Sequence, residues 1–190
     1  MKYLIVCVLA AAVYASPVVA QNRIELHPDI NMGACAISEP LMPPIVQVFV
    51  FITGPATATG ARFAVPKPDC WVGSTWLGDA LAPGTAVIGT SQTDWSLAFY
   101  AGGWPCSGSQ TPPIYLGAIS FLITNQALPC CKVEAVPGLT YAFSDCNFEE
   151  HVLEPSVPMM VNPDESCGCQ GGILMATKTS TWGGVKAMYR

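Results

Sequence analysis

The chain has 190 residues, of which 8 are basic and 13 are acidic, and its formal net charge is -5. The few basic residues form no cluster, so the sequence offers no electrostatic basis for binding a nucleic-acid backbone. Apolar residues make up 51% of the chain, and its length suits one domain with a substantial buried core.

The first twenty residues predict export. Lys2 is followed by an apolar run over residues 3–13, and residues 15–20 are small or apolar and end in Val-x-Ala before Gln21. This order is typical of a cleaved signal peptide, which we assign to residues 1–20. No later segment approaches the roughly 20 apolar residues that a membrane-spanning helix requires. We therefore expect a soluble mature chain without a transmembrane segment, secreted to the extracellular space, the cell surface or the periplasm.

The cysteines predict a disulfide framework. One of the nine, Cys7, leaves with the signal peptide, and an even set in an exported chain favours four disulfides over reactive thiols. The set consists of Cys35, Cys70, Cys106, Cys130, Cys131, Cys146, Cys167 and Cys169. Its pairing stays open, although the adjacent Cys130 and Cys131 are expected to bond to different partners. In an oxidising compartment, Cys167 and Cys169 are predicted as structural half-cystines rather than as a redox or metal pair.

Apolar residues alternate with a period of two, which predicts β-strands. Turn formers rich in Gly and Pro separate the candidate strands. These strands are 22–26, 46–53, 61–65, 71–77, 85–90, 94–100, 114–123, 132–136 and 141–144. Such a series fits an all-β fold of two antiparallel sheets packed face to face, an immunoglobulin-like sandwich, with a single closed barrel as the alternative.

The composition changes near Pro155. We therefore expect the sandwich to cover residues 21–154 and a linker rich in Pro, Gly and Cys to cover 155–179. In residues 180–190, apolar side chains recur at steps of three and four, which predicts a short amphipathic helix that is stable only when docked. A docking or sorting role would fall to Trp182, Lys186, Tyr189 and Arg190, and this ending is similar to tails found on secreted bacterial proteins.

The order of the strands resembles that of cohesin-type and related immunoglobulin-like sandwiches of secreted bacterial proteins. The resemblance covers residues 22–152 and rests on the early apolar strand 46–53, on Gly-Ala-Arg-Phe-Ala-Val at 60–65 and on Gly-Ala-Ile-Ser-Phe at 117–121. It implies a non-enzymatic adhesive or scaffolding module. The chain departs from ordinary cohesins in its eight cysteines, and the resemblance carries over no binding residue.

The sequence contains no recognisable catalytic motif. It has no Gly-x-Ser-x-Gly elbow, and neither His27 nor His151 stands in a triad pattern. We therefore expect no enzymatic activity, no cofactor and no assigned metal site. A secreted metalloenzyme around Glu149 and His151 is the second alternative, because on a strand these two side chains share one face; the simpler interpretation is a charged edge strand that resists aggregation.

The aromatic residues suggest a ligand. Trp104 lies in a Gly-Gly-Trp-Pro loop that can present it to solvent, and Tyr100 lies nearby in the sequence. Exposed Trp and Tyr can stack on sugar rings or anchor a protein partner. The sequence thus predicts a structural or adhesive binding module with a protein or glycan partner at the cell surface, and a carbohydrate-binding module is the first alternative.

Overall fold

The computed structural model describes residues 22–39, 44–54, 58–99 and 113–168, and these residues form thirteen strands and no helix. The strands are Arg23–His27 (β1), Ala36–Ile37 (β2), Ile45–Thr53 (β3), Gly60–Phe63 (β4), Ser74–Leu81 (β5), Thr85–Thr90 (β6), Asp94–Phe99 (β7), Ile114–Ile123 (β8), Cys131–Val133 (β9), Ala142–Ser144 (β10), Glu150–Val152 (β11), Glu154–Val157 (β12) and Met159–Val161 (β13). The predicted all-β fold is confirmed. A membrane-crossing helix, long and apolar enough to span a bilayer, does not occur among the described residues.

The strands form two five-stranded sheets and a smaller third one. The first sheet has the order β12-β1-β3-β8-β5, the second β11-β10-β4-β7-β6, and the third β2-β13-β9. Most pairs are antiparallel, as predicted. Two pairs, β1 with β12 and β2 with β13, are parallel. Both join strands far apart in the sequence, where no hairpin imposes an antiparallel direction.

The core lies between the two large sheets and is built by alternation along each strand. In β3, Val46, Val48, Val50 and Ile52 are buried, while Gln47 points outward and is exposed. The sheets meet closely where Trp95 of β7 approaches Gly117 of β8: a Cβ added to Gly117 would lie 3.3 Å from the Trp95 ring. These contacts confirm the sandwich and not the closed barrel.

Two disulfides are placed among the described residues. Cys131 bonds to Cys70 and Cys130 bonds to Cys167, so the adjacent cysteines do have different partners, as predicted. Cys35 and Cys146 are also disulfide-bonded. Cys106 and Cys169 lie outside the described residues.

Two short strands lie at and beyond the end of the residues assigned to the sandwich. Glu154–Val157 forms β12, which pairs with β1 of the first sheet, and Met159–Val161 forms β13, which pairs with β2 and β9 in the third sheet. Pro155 and Pro158 concealed these strands, because proline removes a backbone donor and is tolerated only at strand edges and ends. The proposed tail over 180–190 lies outside the described residues.

Candidate functional site

The outer face of the second sheet is a broad surface built from alternate residues of five strands. Ala61, Phe63, Trp95, Leu97 and Phe143 are buried in the core. Because side chains alternate across a strand, the residues between them project from the opposite, outer face.

Strand register arranges the outward residues in two rows that cross all five strands, and each strand contributes one residue to each row. The first row is Ile88, Ser96, Arg62, Ala142 and Val152, and the second is Ala86, Ala98, Gly60, Ser144 and Glu150. Neighbouring strands lie about 4.8 Å apart, so five strands give a surface about 19 Å across. Six of the ten positions hold Gly, Ala or Ser, so few side chains project from the surface and it is flat; Ala142, in the first row, is itself buried.

Arg62 is the only cation in these rows, and Asp94 fixes its position. The Nε atom of Arg62 lies 3.1 Å from both carboxylate oxygens of Asp94, and Nη2 donates to Oδ2 over 2.8 Å. Asp94 also accepts a bond from the backbone N–H of Leu139 at 2.9 Å. The hydrogen bond to Arg62 is the main reason that the pKa of Asp94 lies below its usual value, and the same bond raises the pKa of Arg62.

Both ends of the first row carry exposed aliphatic side chains. Ile88 on the edge strand β6 is 79% exposed, and Val152 on the opposite edge strand β11 is 81% exposed. A flat strip of small side chains between two aliphatic ends suits the close approach of another macromolecule. Small residues lose little rotamer entropy on contact, and the held guanidinium offers a directional polar anchor. The arrangement is therefore suited to binding another macromolecule.

Several predicted site residues lie outside the described part of the chain. These are the aromatic pair Trp104 and Tyr100 and the tail residues Trp182, Lys186, Tyr189 and Arg190. Their roles remain predictions.

Glu149 and His151 lie close together, but Glu149 precedes β11 and is not on the strand, and β11 is an edge strand of the second sheet. The structure adds Asp145, whose Oδ2 lies 3.1 Å from Nε2 of His151. Asp145 could not be predicted from the strand pattern, because the hairpin between β10 and β11 is what brings it to His151.

A second polar group missed by the sequence analysis lies on the outer face of the first sheet. Glu25 contacts Nε of Arg23 at 2.9 Å, Nε2 of His27 at 3.4 Å and Oγ1 of Thr53 at 3.0 Å. The hydrogen bond from His27 is the largest cause that lowers the pKa of Glu25 to about 2. Burial alone lowers the pKa of His27, but its bonds to Glu25 and to the Ala34 carbonyl outweigh that effect and raise it above 6.5. The sequence signal for this polar group was the period-two spacing of Arg23, Glu25 and His27, which places the three side chains on one face of β1.

The outer face of the second sheet was also missed, although its strands were predicted. The signal was present in the outward positions of 60–63, 94–99 and 85–90, half of which are Gly, Ala or Ser. Only the register, however, shows that these positions join in continuous rows.

No protein-family model matches the chain, and neither does any curated protein. Solved structures do. The sixth cohesin of scaffoldin B from Acetivibrio cellulolyticus, solved in complex with a mutant Cel5 dockerin, is 13% identical with a TM-score of 0.52, and the match covers 76% of this chain and 99% of that chain. A cohesin module of a family 33 glycoside hydrolase from Clostridium perfringens is 8% identical with a TM-score of 0.49, over 76% and 99% of the two chains. The strand arrangement and the first of these matches show the fold of a cohesin-like β-sandwich.

Proposed function

We propose that this chain is a secreted, non-enzymatic binding module that receives a protein partner on the outer face of its second sheet. The observation that supports the proposal is the pair of flat rows, with exposed Ile88 and Val152 at their ends and the oriented Arg62 between them. Interfaces commonly combine an apolar contact area with a few fixed polar groups, and Arg is enriched at them.

The cohesin-like fold supports a partner that is itself a protein. The Acetivibrio cellulolyticus cohesin was solved with a dockerin bound. By analogy of fold, we propose that the partner of this chain is a folded protein module and that the chain acts as a structural or adhesive component.

Export is part of the proposal. The signal-like residues 1–20 and the disulfides support it, because disulfides persist in oxidising compartments. The expected sites are the cell surface, the extracellular space or the periplasm.

A matched pair of variants tests the proposed face. Ile88→Asp places a charge on the outer face of the second sheet, and Ile45→Asp places one on the outer face of the first sheet, where Ile45 is 48% exposed. The oxidised protein is immobilised and incubated with secreted proteins of the source organism. We expect the native protein and Ile45→Asp to retain the same partner and Ile88→Asp to lose it, because a buried unpaired charge is costly. Retention by Ile88→Asp, or equal loss by both variants, would contradict the assignment.

The glycan alternative has a separate test. It rests on Trp104 and Tyr100, and it predicts glycan-array binding that is lost in Trp104→Ala. If the folded protein binds no glycan, that alternative is removed while the protein-binding proposal stands.

A further inference from the structure

The hairpin between β10 and β11 holds a carboxylate in a fixed position. One oxygen of Asp145, Oδ1, accepts the backbone N–H groups of Asn147 at 2.8 Å and Glu149 at 3.0 Å. The hairpin is closed further by a bond from the Asp145 N–H to the Glu149 carbonyl at 3.0 Å. With Oδ1 occupied by the backbone, the second oxygen, Oδ2, is the one directed at His151.

An imidazole faces this carboxylate in a fixed orientation. The ring of His151 stacks on Phe143, with centroids 5.1 Å apart and planes inclined by 25°. This stacking directs Nε2 towards Oδ2 of Asp145, 3.1 Å away. The His151 side chain is 42% exposed, so the pair lies at the protein surface.

The third group is the carboxylate of Glu149. One of its oxygens lies within 4.8 Å of both the His151 nitrogen and the Asp145 oxygen. Because Glu149 is exposed, its side chain can rotate towards the other two. These donors come from one hairpin, at positions 145, 149 and 151.

The distances fit a small metal ion. Zinc bonds of about 2.0–2.2 Å to nitrogen and oxygen place two ligand atoms of a tetrahedron about 3.3–3.6 Å apart. The separation of 3.1 Å between Oδ2 of Asp145 and Nε2 of His151 is close to this spacing, so a small rotation of either side chain would admit the ion. An imidazole in the donor set favours zinc over calcium or magnesium, which prefer all-oxygen sites. We propose that Asp145, Glu149 and His151 form a Zn²⁺ site with three protein ligands and an open position for water or for a ligand from another molecule.

A second group of residues of metal-ligating types has no free ligand set. Cys130, Asp164 and Cys167 also lie within 4.8 Å of one another. The two sulfurs, however, are bonded to each other, so neither is available as a thiolate. The hairpin is therefore the stronger of the two groupings among the described residues.

Zinc titration of the untagged, oxidised full chain tests the proposal. After removal of metals with a chelator, calorimetry should show one Zn²⁺ bound per chain. His151→Gln and Glu149→Gln should each weaken binding by about tenfold or more, since ligand loss costs at least as much as loss of an outer-shell partner. Glu150→Gln is the matched control, because Glu150 lies between Glu149 and His151 in the sequence but belongs to the second outer row, opposite Ser144.

Two further readouts keep a folding defect apart from loss of a ligand. Circular dichroism of each zinc-free variant should match that of the native protein, and Zn²⁺ should raise the Tm of the native protein and of Glu150→Gln only. Absence of stoichiometric Zn²⁺, or equal binding by His151→Gln, Glu149→Gln and Glu150→Gln, would overturn the site and leave Asp145 and His151 as a simple hydrogen-bonded pair.

Discussion

Replacement of Glu39 should reduce stability strongly, because this carboxylate joins three distant segments. Its Oε1 accepts the indole N–H of Trp71 at 3.0 Å. Its Oε2 accepts the backbone N–H of Ala127 at 2.6 Å and Nδ2 of Asn162 at 3.1 Å. Trp71 has no exposed surface and packs on Phe121, with ring centroids 5.0 Å apart.

The expected loss follows from the donors that would lack an acceptor. In Glu39→Ala, the Trp71 N–H is left buried and unpaired, which costs about 1–3 kcal/mol, and the Ala127 N–H adds a cost of the same order. We expect a decrease of about 2–5 kcal/mol in the free energy of unfolding, a large share of the roughly 5–15 kcal/mol typical of a domain. Glu39→Gln keeps one acceptor and introduces an N–H₂ donor, so its loss should be smaller, about 1–3 kcal/mol.

Urea unfolding without reductant, followed by tryptophan fluorescence, measures these losses. Glu134→Gln is the control, because Glu134 is exposed, and it should change stability by less than about 0.5 kcal/mol. The reasoning fails if Glu39→Ala unfolds within about 0.5 kcal/mol of the native protein at an unchanged m-value.

Three other predictions concern separate parts of the molecule. Because the pKa of Glu25 is lowered to about 2 in the fold, Glu25 stabilises the native state above its ordinary pKa of 4.5, and this contribution should fade as the pH falls from 4.5 towards 2. Glu25→Gln should lower the pKa of His27 in an NMR titration, and an unchanged pKa of His27 would contradict the pairing. Gly117→Ala should lower the free energy of unfolding by about 1–3 kcal/mol, because the added Cβ would lie 2.6 Å from the Ala80 carbonyl oxygen. Gly168→Ala is the control and should have little effect, because a Cβ there has no neighbour within 4 Å; equal effects of the two variants in thermal unfolding would refute the close approach at Gly117. Deletion of residues 180–190 should release the protein into the medium with its sandwich folded, if the tail retains it, and unchanged localisation by immunoblotting would contradict a sorting role.

Much of the fold could be predicted because the two large sheets record their buried faces in the sequence. In strand β3, Val46, Val48, Val50 and Ile52 follow the predicted period of two and are buried, and Phe51 is buried with them. In β7, Trp95 and Leu97 are buried and Ser96 is not, again as predicted. Local alternation suffices here because each strand has one face on the core.

Other parts could not be predicted from local pattern. Strand β2 has two residues, too few to show a period, and β12 contains Pro155. The bonds of Glu39 to Ala127 and Asn162 span 88 and 123 residues, and only the folded chain brings those groups together. The outer rows and the Asp145–His151 contact likewise depend on register and on a hairpin. The residue types were visible in the sequence, but which of them contact each other in the folded chain was not.

Site-specific photo-crosslinking tests the proposed binding face most directly. A photoreactive residue is placed at position 98, exposed in the second outer row, or at position 47, exposed on the outer face of the first sheet. Each oxidised protein is mixed with the partner that the native protein retains and is then illuminated. We predict a crosslinked product with the probe at 98 and none with the probe at 47. A product from 47 alone, or from both positions equally, would contradict the assignment of the second sheet as the binding face.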